Sequence, residues 1–214
     1  WGYRPGLRPA NTVAWEKTEA IEQALDRVLA DPDRSVRLIA LRGMQREKIP
    51  TQPGALVRWL NEERQADSVA AILESLRQQP GPTARGALAG VVTGRDHALT
   101  NRLSALTHYT AGLDAASEAG LLEVARALED GPVLAEALKQ TAKRSLRQAS
   151  VLFAAKLDST EPLVRIAAIE GVAELQITDA SDSVRRLMAD SNGRVRQAAA
   201  AAAGALRIQS AREP

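Results

Sequence analysis

Two histidines, four Asp–Arg pairs of near-constant spacing and scattered serines are the residues of this 214-residue chain that could do chemistry. His97 and His108 lie eleven residues apart on one predicted helix over 96–109, which sets them about three turns apart. That separation is too great for one metal ion, and no His-Glu-x-x-His accompanies them. His97 reads as a first-turn surface residue and His108 as a packed or partly exposed one. The chain has no cysteine, which removes disulfides, thiolate-bound zinc and a thiol nucleophile. Neither G-x-G-x-x-G nor G-x-x-x-x-G-K-[ST] occurs, so no phosphate cradle is encoded. Serine, histidine and aspartate lack the strand–turn–helix setting that exposes a nucleophile. No cofactor is expected.

The Asp–Arg pairs are the regular feature. Arg37, Arg102, Arg165 and Arg196 are separated by 65, 63 and 31 residues, which are two repeats, two repeats and one. Asp31, Asp96 and Asp190 lie six residues before their arginines, and Asp158 lies seven before Arg165. An apolar grid recurs with them: Val36/Ala40/Gly43, Val164/Ala168/Gly171 and Val195/Ala199/Ala202 share i, i+4, i+7 spacing. Small residues at the second and third positions let paired helices approach closely. The repeats between carry Ala70 and Ala135 at the arginine positions while Asp130 persists, and looser packing is expected there.

These residues need helices to position them. Apolar periodicity predicts twelve helices in six hairpins from about residue 18 to residue 207. Asp31 is read as an N-cap with Pro32 at the first helical position, and Pro80-Gly81-Pro82 and Asp130-Gly131-Pro132 are breaks. Residues 1–17, with Trp1, Tyr3 and Trp15 among six aromatics in all, are expected to form an extended arm or cap. Residues 208–214 are expected to be a frayed tail. The fold class is all-α, a right-handed α-solenoid of about six helical hairpins.

At these residues the chain resembles the HEAT-repeat family, in its short bacterial form, over about 18–207. The resemblance implies a hydrogen-bonded ladder between neighbouring repeats, built here from Asp31, Arg37, Asp96, Arg102, Asp158, Arg165, Asp190 and Arg196. It also implies a scaffold whose second helices carry the contact surface, with Arg34, Arg42, Gln45, Arg194 and Gln197 as expected partner-binding residues. The paired His-Glu dipeptides of HEAT-repeat di-iron hydroxylases are missing. Residues 8–18, 31–38 and 44–50 are similar to the HEAT-containing segment of large exported proteins of planctomycete-type bacteria. There such a segment sits beside a sorbosone-dehydrogenase-like propeller and a c-type cytochrome domain. That resemblance implies a periplasmic or exported spacer; without it the chain would be cytoplasmic. No Cys-x-x-Cys-His is present to attach haem.

Charge separates the remaining partner classes. Of 28 cationic residues 23 are arginine, yet 26 acidic residues are interspersed and the net charge is only +2. Arg185, Arg186, Arg194, Arg196 and Arg207, with Lys143, Arg144 and Arg147, make the C-terminal third the place for a nucleic-acid alternative. Phe153 is the one aromatic after Tyr109, so stacking platforms are missing there. An enzyme of the HEAT-like glycosylase kind is a third, weaker reading. No apolar run approaches the roughly 20 residues of a membrane helix, so no membrane insertion is expected. The chain begins Trp1-Gly2-Tyr3 and is expected to be a segment of a larger multidomain protein. Its partner is expected to be another protein or neighbouring domains of the same polypeptide.

Overall fold

The computed structural model describes residues 19–79, 81–111, 113 and 118–207, with side chains from residue 23 onward. The expected arm over 1–17 and tail over 208–214 lie outside the described residues. Among the described residues there are twelve α-helices and no strand. The first six are α1 (Glu19–Leu29), α2 (Arg34–Arg46), α3 (Pro53–Glu62), α4 (Ala66–Arg77), α5 (Pro82–Thr93) and α6 (Leu99–Ala111). The second six are α7 (Glu118–Ala127), α8 (Pro132–Lys143), α9 (Ser150–Lys156), α10 (Pro162–Glu174), α11 (Ser181–Leu187) and α12 (Gly193–Ala205). Each odd-numbered helix packs on the even-numbered helix that follows it, giving six hairpins. The second helices then stack in one row, α2–α4–α6–α8–α10–α12, and α1, α3, α5 and α7 stack in a second layer. The fold is an all-α, HEAT-like solenoid.

Local chemistry sets the helix boundaries. Pro53, Pro82, Pro132 and Pro162 open α3, α5, α8 and α10, where the missing N–H costs nothing and the fixed φ suits the first turn. Asp33, not Asp31, caps α2: its carboxylate accepts the Ser35 N–H at 2.8 Å. Asp31 stands one step outside and accepts the Asp33 N–H at 2.7 Å. Asn192 caps α12 by accepting from the backbone of Arg194 and Val195. His97 lies in the loop ahead of α6 rather than in its first turn, because that helix begins only at Leu99. Helices α9 and α11 are short, each entered through a 3₁₀ turn at Arg147–Ala149 and Thr178–Ala180.

The ends of four second helices share one device. Lys48, Ser145, Gln176 and Arg207 sit at φ of 55°, 53°, 53° and 54°. Past three of them, the N–H of Ile49, Leu146 and Ile177 donates back to the carbonyls of Met44, Thr141 and Val172 at 2.8, 3.4 and 2.9 Å. This is the six-to-one bond of a Schellman motif, closed by an aliphatic residue that packs on the core.

The core runs the length of the row between the two layers. Leu41, Leu56, Ile72, Leu73, Leu76, Leu106, Leu121, Leu134, Leu138, Phe153 and Ile169 are fully buried in it. A Cβ added at Gly171 would lie 2.2 Å from the Phe153 ring, so this glycine admits the only phenylalanine of the chain. One hairpin later the same two positions hold Val184 and Ala202, a smaller side chain facing a larger one, both buried. Around Ala70 and Ala135, where looser packing is expected, the apolar core is nonetheless continuous. Val69, Ile72, Leu73 and Leu76 are 0% exposed on α4, and Leu134, Ala137 and Leu138 are 0% exposed on α8. Burying a leucine contributes about 1.5–3 kcal/mol, so these side chains hold the two repeats in the row without an arginine at position 70 or 135.

Candidate functional site

The turn between the two helices of each hairpin brings a charged or hydroxyl side chain to one register. In chain order these are Asp31, Arg64, Asp96, Glu129, Ser159 and Asp190. Each junction between consecutive hairpins is then crossed by a polar link.

At the first junction Arg34 lies 3.7 Å from Glu63, whose carboxylate is 1% exposed. Burial pushes the Glu63 pKa up. The backbone N–H groups of Gln65 and Arg64, the Trp59 indole N–H at 3.0 Å and the Arg34 charge outweigh it and hold the carboxyl below its ordinary value. Arg37 meets no carboxylate among the described residues and stacks over the Trp59 ring, 5.2 Å from its centroid. At the second junction Arg64 pairs with Asp96 across exposed surface. At the third, Arg102, with only 8% of its side chain exposed, donates to Glu129 at 2.5 Å and to the Val92 carbonyl at 2.9 Å. The Arg102 bond is the main reason Glu129 is held down at about 2, helped by Arg95 at 3.4 Å. At the fourth, Asp130 accepts from Lys156 at 2.5 Å and from the Ser159 hydroxyl, and these two bonds depress its pKa. At the fifth, Arg165 donates to Asp190 at 2.9 Å between side chains 11% and 9% exposed. Burial raises the Asp190 pKa, and the bonds from Arg165 and the Asn192 N–H bring it below the ordinary value.

Of the residues expected to form the ladder, Arg165 and Asp190 meet directly. Asp96 is reached by Arg64 rather than by an arginine at position 70, and Arg102 finds Glu129 while Asp130 turns to the next hairpin. Asp158 stands outside the register that Ser159 occupies and faces Arg186 at 3.7 Å, both largely exposed. Arg196 donates to the Asp190 and Ser191 carbonyls of its own turn at 2.8 and 3.0 Å. Asp31 meets no arginine among the described residues. The relevant signals in sequence are a charge swap, Arg64 in the aspartate register, and the i, i+4 pair Trp59–Glu63.

The expected partner-binding residues divide. Arg42, Arg194 and Gln197 are exposed. Arg34 is half-exposed with Glu63 at 3.7 Å, and Gln45 is committed internally, its amide donating to the Ala71 carbonyl at 2.8 Å and to the Ser75 hydroxyl at 2.9 Å across α2 and α4. Along the solvent side of the second helices, one register holds Arg42, Thr107, Gln140, Glu170 and Ala201, while Ser75 at the same register on α4 is buried. The next turn holds Arg46, Gln79, Ala111, Arg144, Glu174 and Ala205. This face carries Arg42 and Arg46 on α2 and Glu170 and Glu174 on α10, with Arg144 of the α8 hairpin between them.

Other groups are spoken for. A cavity of about 290 Å³ between α4, α5 and α6 is lined by Leu76, Arg77, Leu88, His108 and Tyr109. Within it His108 is 3.2 Å from the Ser104 hydroxyl, one turn back on its own helix, and burial lowers its pKa. Burial does the same to His97. No three of His, Asp and Glu converge among the described residues in a way that could hold a metal ion. In the basic C-terminal third Arg185 faces Asp182 and Arg186 faces Asp158, which breaks up a single-sign field. No helix among the described residues is long and apolar enough to cross a membrane.

Comparison with known families fits this geometry at one end. Residues 149–213 are similar to the family of HEAT repeats, a span that includes α9 to α12 and the Arg165–Asp190 link. No curated protein matches the sequence.

Proposed function

We propose that this chain is a non-enzymatic scaffold that binds a protein segment, or a neighbouring domain of its own polypeptide, along the solvent side of its second helices. The observation that carries this reading is the opposite charge at two places on that face, Arg42 and Arg46 at one end and Glu170 and Glu174 four hairpins away, all exposed. Its complement is a segment acidic over α2 and basic over α10, held by charge that fixes direction as well as affinity. The paired carboxylates, Glu63, Glu129, Asp130 and Asp190, are engaged in holding the repeats to one another. In a larger protein the same face would hold flanking domains at fixed spacing, the spacer role implied by the resemblance to the exported planctomycete-type segment.

A displayed random-peptide library selected on the immobilised protein tests this. Selected segments should be rich in Asp and Glu towards one end and weaken about tenfold or more on the Arg42→Glu/Arg46→Glu variant. Segments bound equally well by that variant and by Glu170→Lys/Glu174→Lys would put the contact elsewhere. Turnover of a substrate by the purified chain alone would remove the non-enzymatic half of the proposal.

A further inference from the structure

Five junctions each carry a completed polar link, and at both ends of the array the same link is half made. At the rear, Arg196 repeats the posture of Arg165. Arg165 Nη1 donates to the carbonyls of Ser159 and Thr160 at 2.8 and 3.0 Å, and Arg196 Nη1 donates to those of Asp190 and Ser191 at the same two distances. Arg165 Nη2 goes on to the Asp190 carboxylate, whereas Arg196 Nη2 has no carboxylate among the described residues. At the front, Asp31 repeats the posture of Asp190. Each accepts the N–H two residues on at 2.7 Å, but only Asp190 also receives an arginine.

The apolar surfaces beside these groups differ in the same sense. On α10, Val164 and Ala167 are buried within the row at 0% exposure. The residues at their register on α2, Val36 and Ile39, are 39% and 73% exposed. On α12 the positions matching Ile166, Ile169 and Ala173 of α10 hold Gln197, Ala200 and Gly204, all exposed, and a Cβ at Gly204 would meet nothing within 4 Å. The front therefore presents two protruding aliphatic side chains and a carboxylate. The rear presents a shallow surface of small residues and a guanidinium already oriented by its own turn.

We propose that these are the two halves of one interface, and that copies of this chain stack head to tail, Arg196 of one copy on Asp31 of the next. The direction agrees with four of the five internal junctions, where the cation belongs to the earlier hairpin and the anion to the later one. The contact is heterologous, so it continues the solenoid from copy to copy rather than closing a symmetric pair.

Sedimentation velocity on the full chain across a wide concentration range tests it. The wild-type mass should rise with concentration and fall with added salt. Arg196→Glu blocks the rear and Ile39→Glu blocks the front, both at exposed positions, so each variant alone should remain a monomer with unchanged helicity. Mixed in equal amounts they should form a dimer and stop there, because one free front meets one free rear. A wild-type protein still monomeric at about 1 mM, where even weak contacts are populated, would overturn the proposal. A mixture no heavier than its components would do the same, and would leave Val36 and Ile39 to be covered by residues 1–18 or by another protein.

Discussion

The last two hairpins and the first two solve the same mechanical problem with different chemistry. Between α10 and α12 the link is one guanidinium on one carboxylate, Arg165 to Asp190, both largely buried and each also bonded to its own or the adjoining turn. Between α2 and α4 the corresponding arginine, Arg37, lies on the Trp59 ring, and the anion is Glu63, held by three N–H donors and a distant Arg34. Cores follow suit: Gly171 is filled by Phe153, while Gly43, at the same register, has nothing within 4 Å of an added Cβ. A repeat array therefore preserves the positions of its junctions and lets the residues that fill them drift. The span similar to the family of HEAT repeats, 149–213, is the one in which the arginine and aspartate stand in register with each other.

The glycine pair is the sharpest way to break that comparison. Gly171→Ala must displace Phe153, an aromatic ring with no exposed surface, and overpacking of this kind costs typically about 1–3 kcal/mol; the 2.2 Å approach puts it at the upper end. Gly43→Ala adds a methyl to open space within a helix and should stabilise by roughly 0.5–1 kcal/mol. Urea unfolding of both variants measures the two signs. Equal effects would mean that the two hairpins share one packing after all.

The next contrast is between links. Arg102→Ala removes a nearly buried guanidinium from Glu129 and the Val92 carbonyl and should cost about 2–3 kcal/mol. Arg64→Ala removes a link between half-exposed side chains and should cost less than about 1 kcal/mol. Acid separates them further. Glu129 titrates at about 2 in the folded chain against an ordinary 4.5. A carboxyl with a depressed folded pKa binds more protons in the unfolded chain, so its stabilisation is complete above about pH 4.5 and is lost as pH falls towards 2. Wild-type stability should drop through that window and Arg102→Ala should drop less steeply. Parallel acid profiles would show that the Arg102 bond is not what holds Glu129 down.

How much of this could be read from sequence depended on which force fixed each feature. Helix number and order followed from apolar spacing such as Val164/Ala168/Gly171, because burial of one face is a property of a single helix. Pro82 and Pro132 stand in the breaks read from sequence for an equally local reason, whereas Pro32, expected at a first helical position, lies ahead of α2, which begins at Arg34. The junctions were harder, since a link such as Arg64–Asp96 or Asp130–Ser159 joins residues about thirty apart and any cation or anion of the right reach can serve. Position 70 looked like a lost rung because the arginine had moved to position 64, on the other side of the turn. Gln45 resembled a surface residue in sequence, yet α4 approaches closely enough to take both of its donors.

The helix ends were hidden for a different reason, and they yield the smallest test. Left-handed backbone normally advertises itself as glycine, but here the φ-positive positions are Lys48, Ser145, Gln176 and Arg207. Only the aliphatic residue that follows, Ile49, Leu146 or Ile177, signals the motif. A non-glycine residue there costs about 1 kcal/mol or more, because Cβ crowds the backbone carbonyl. Gln176→Gly relieves that crowding while giving up the amide bond to the Ala173 carbonyl at 2.8 Å, an exposed bond of modest worth. The net should be a gain of a few tenths to about 1 kcal/mol, reduced by the greater freedom glycine gives the unfolded chain. Gln78→Gly is the control. It ends α4 in right-handed backbone at φ −79°, so it gains nothing from glycine and should lose a few tenths of a kcal/mol. If both substitutions shift the thermal midpoint in the same direction, the left-handed turns of the second helices carry no strain, and the aliphatic residue behind each one is sufficient to hold it.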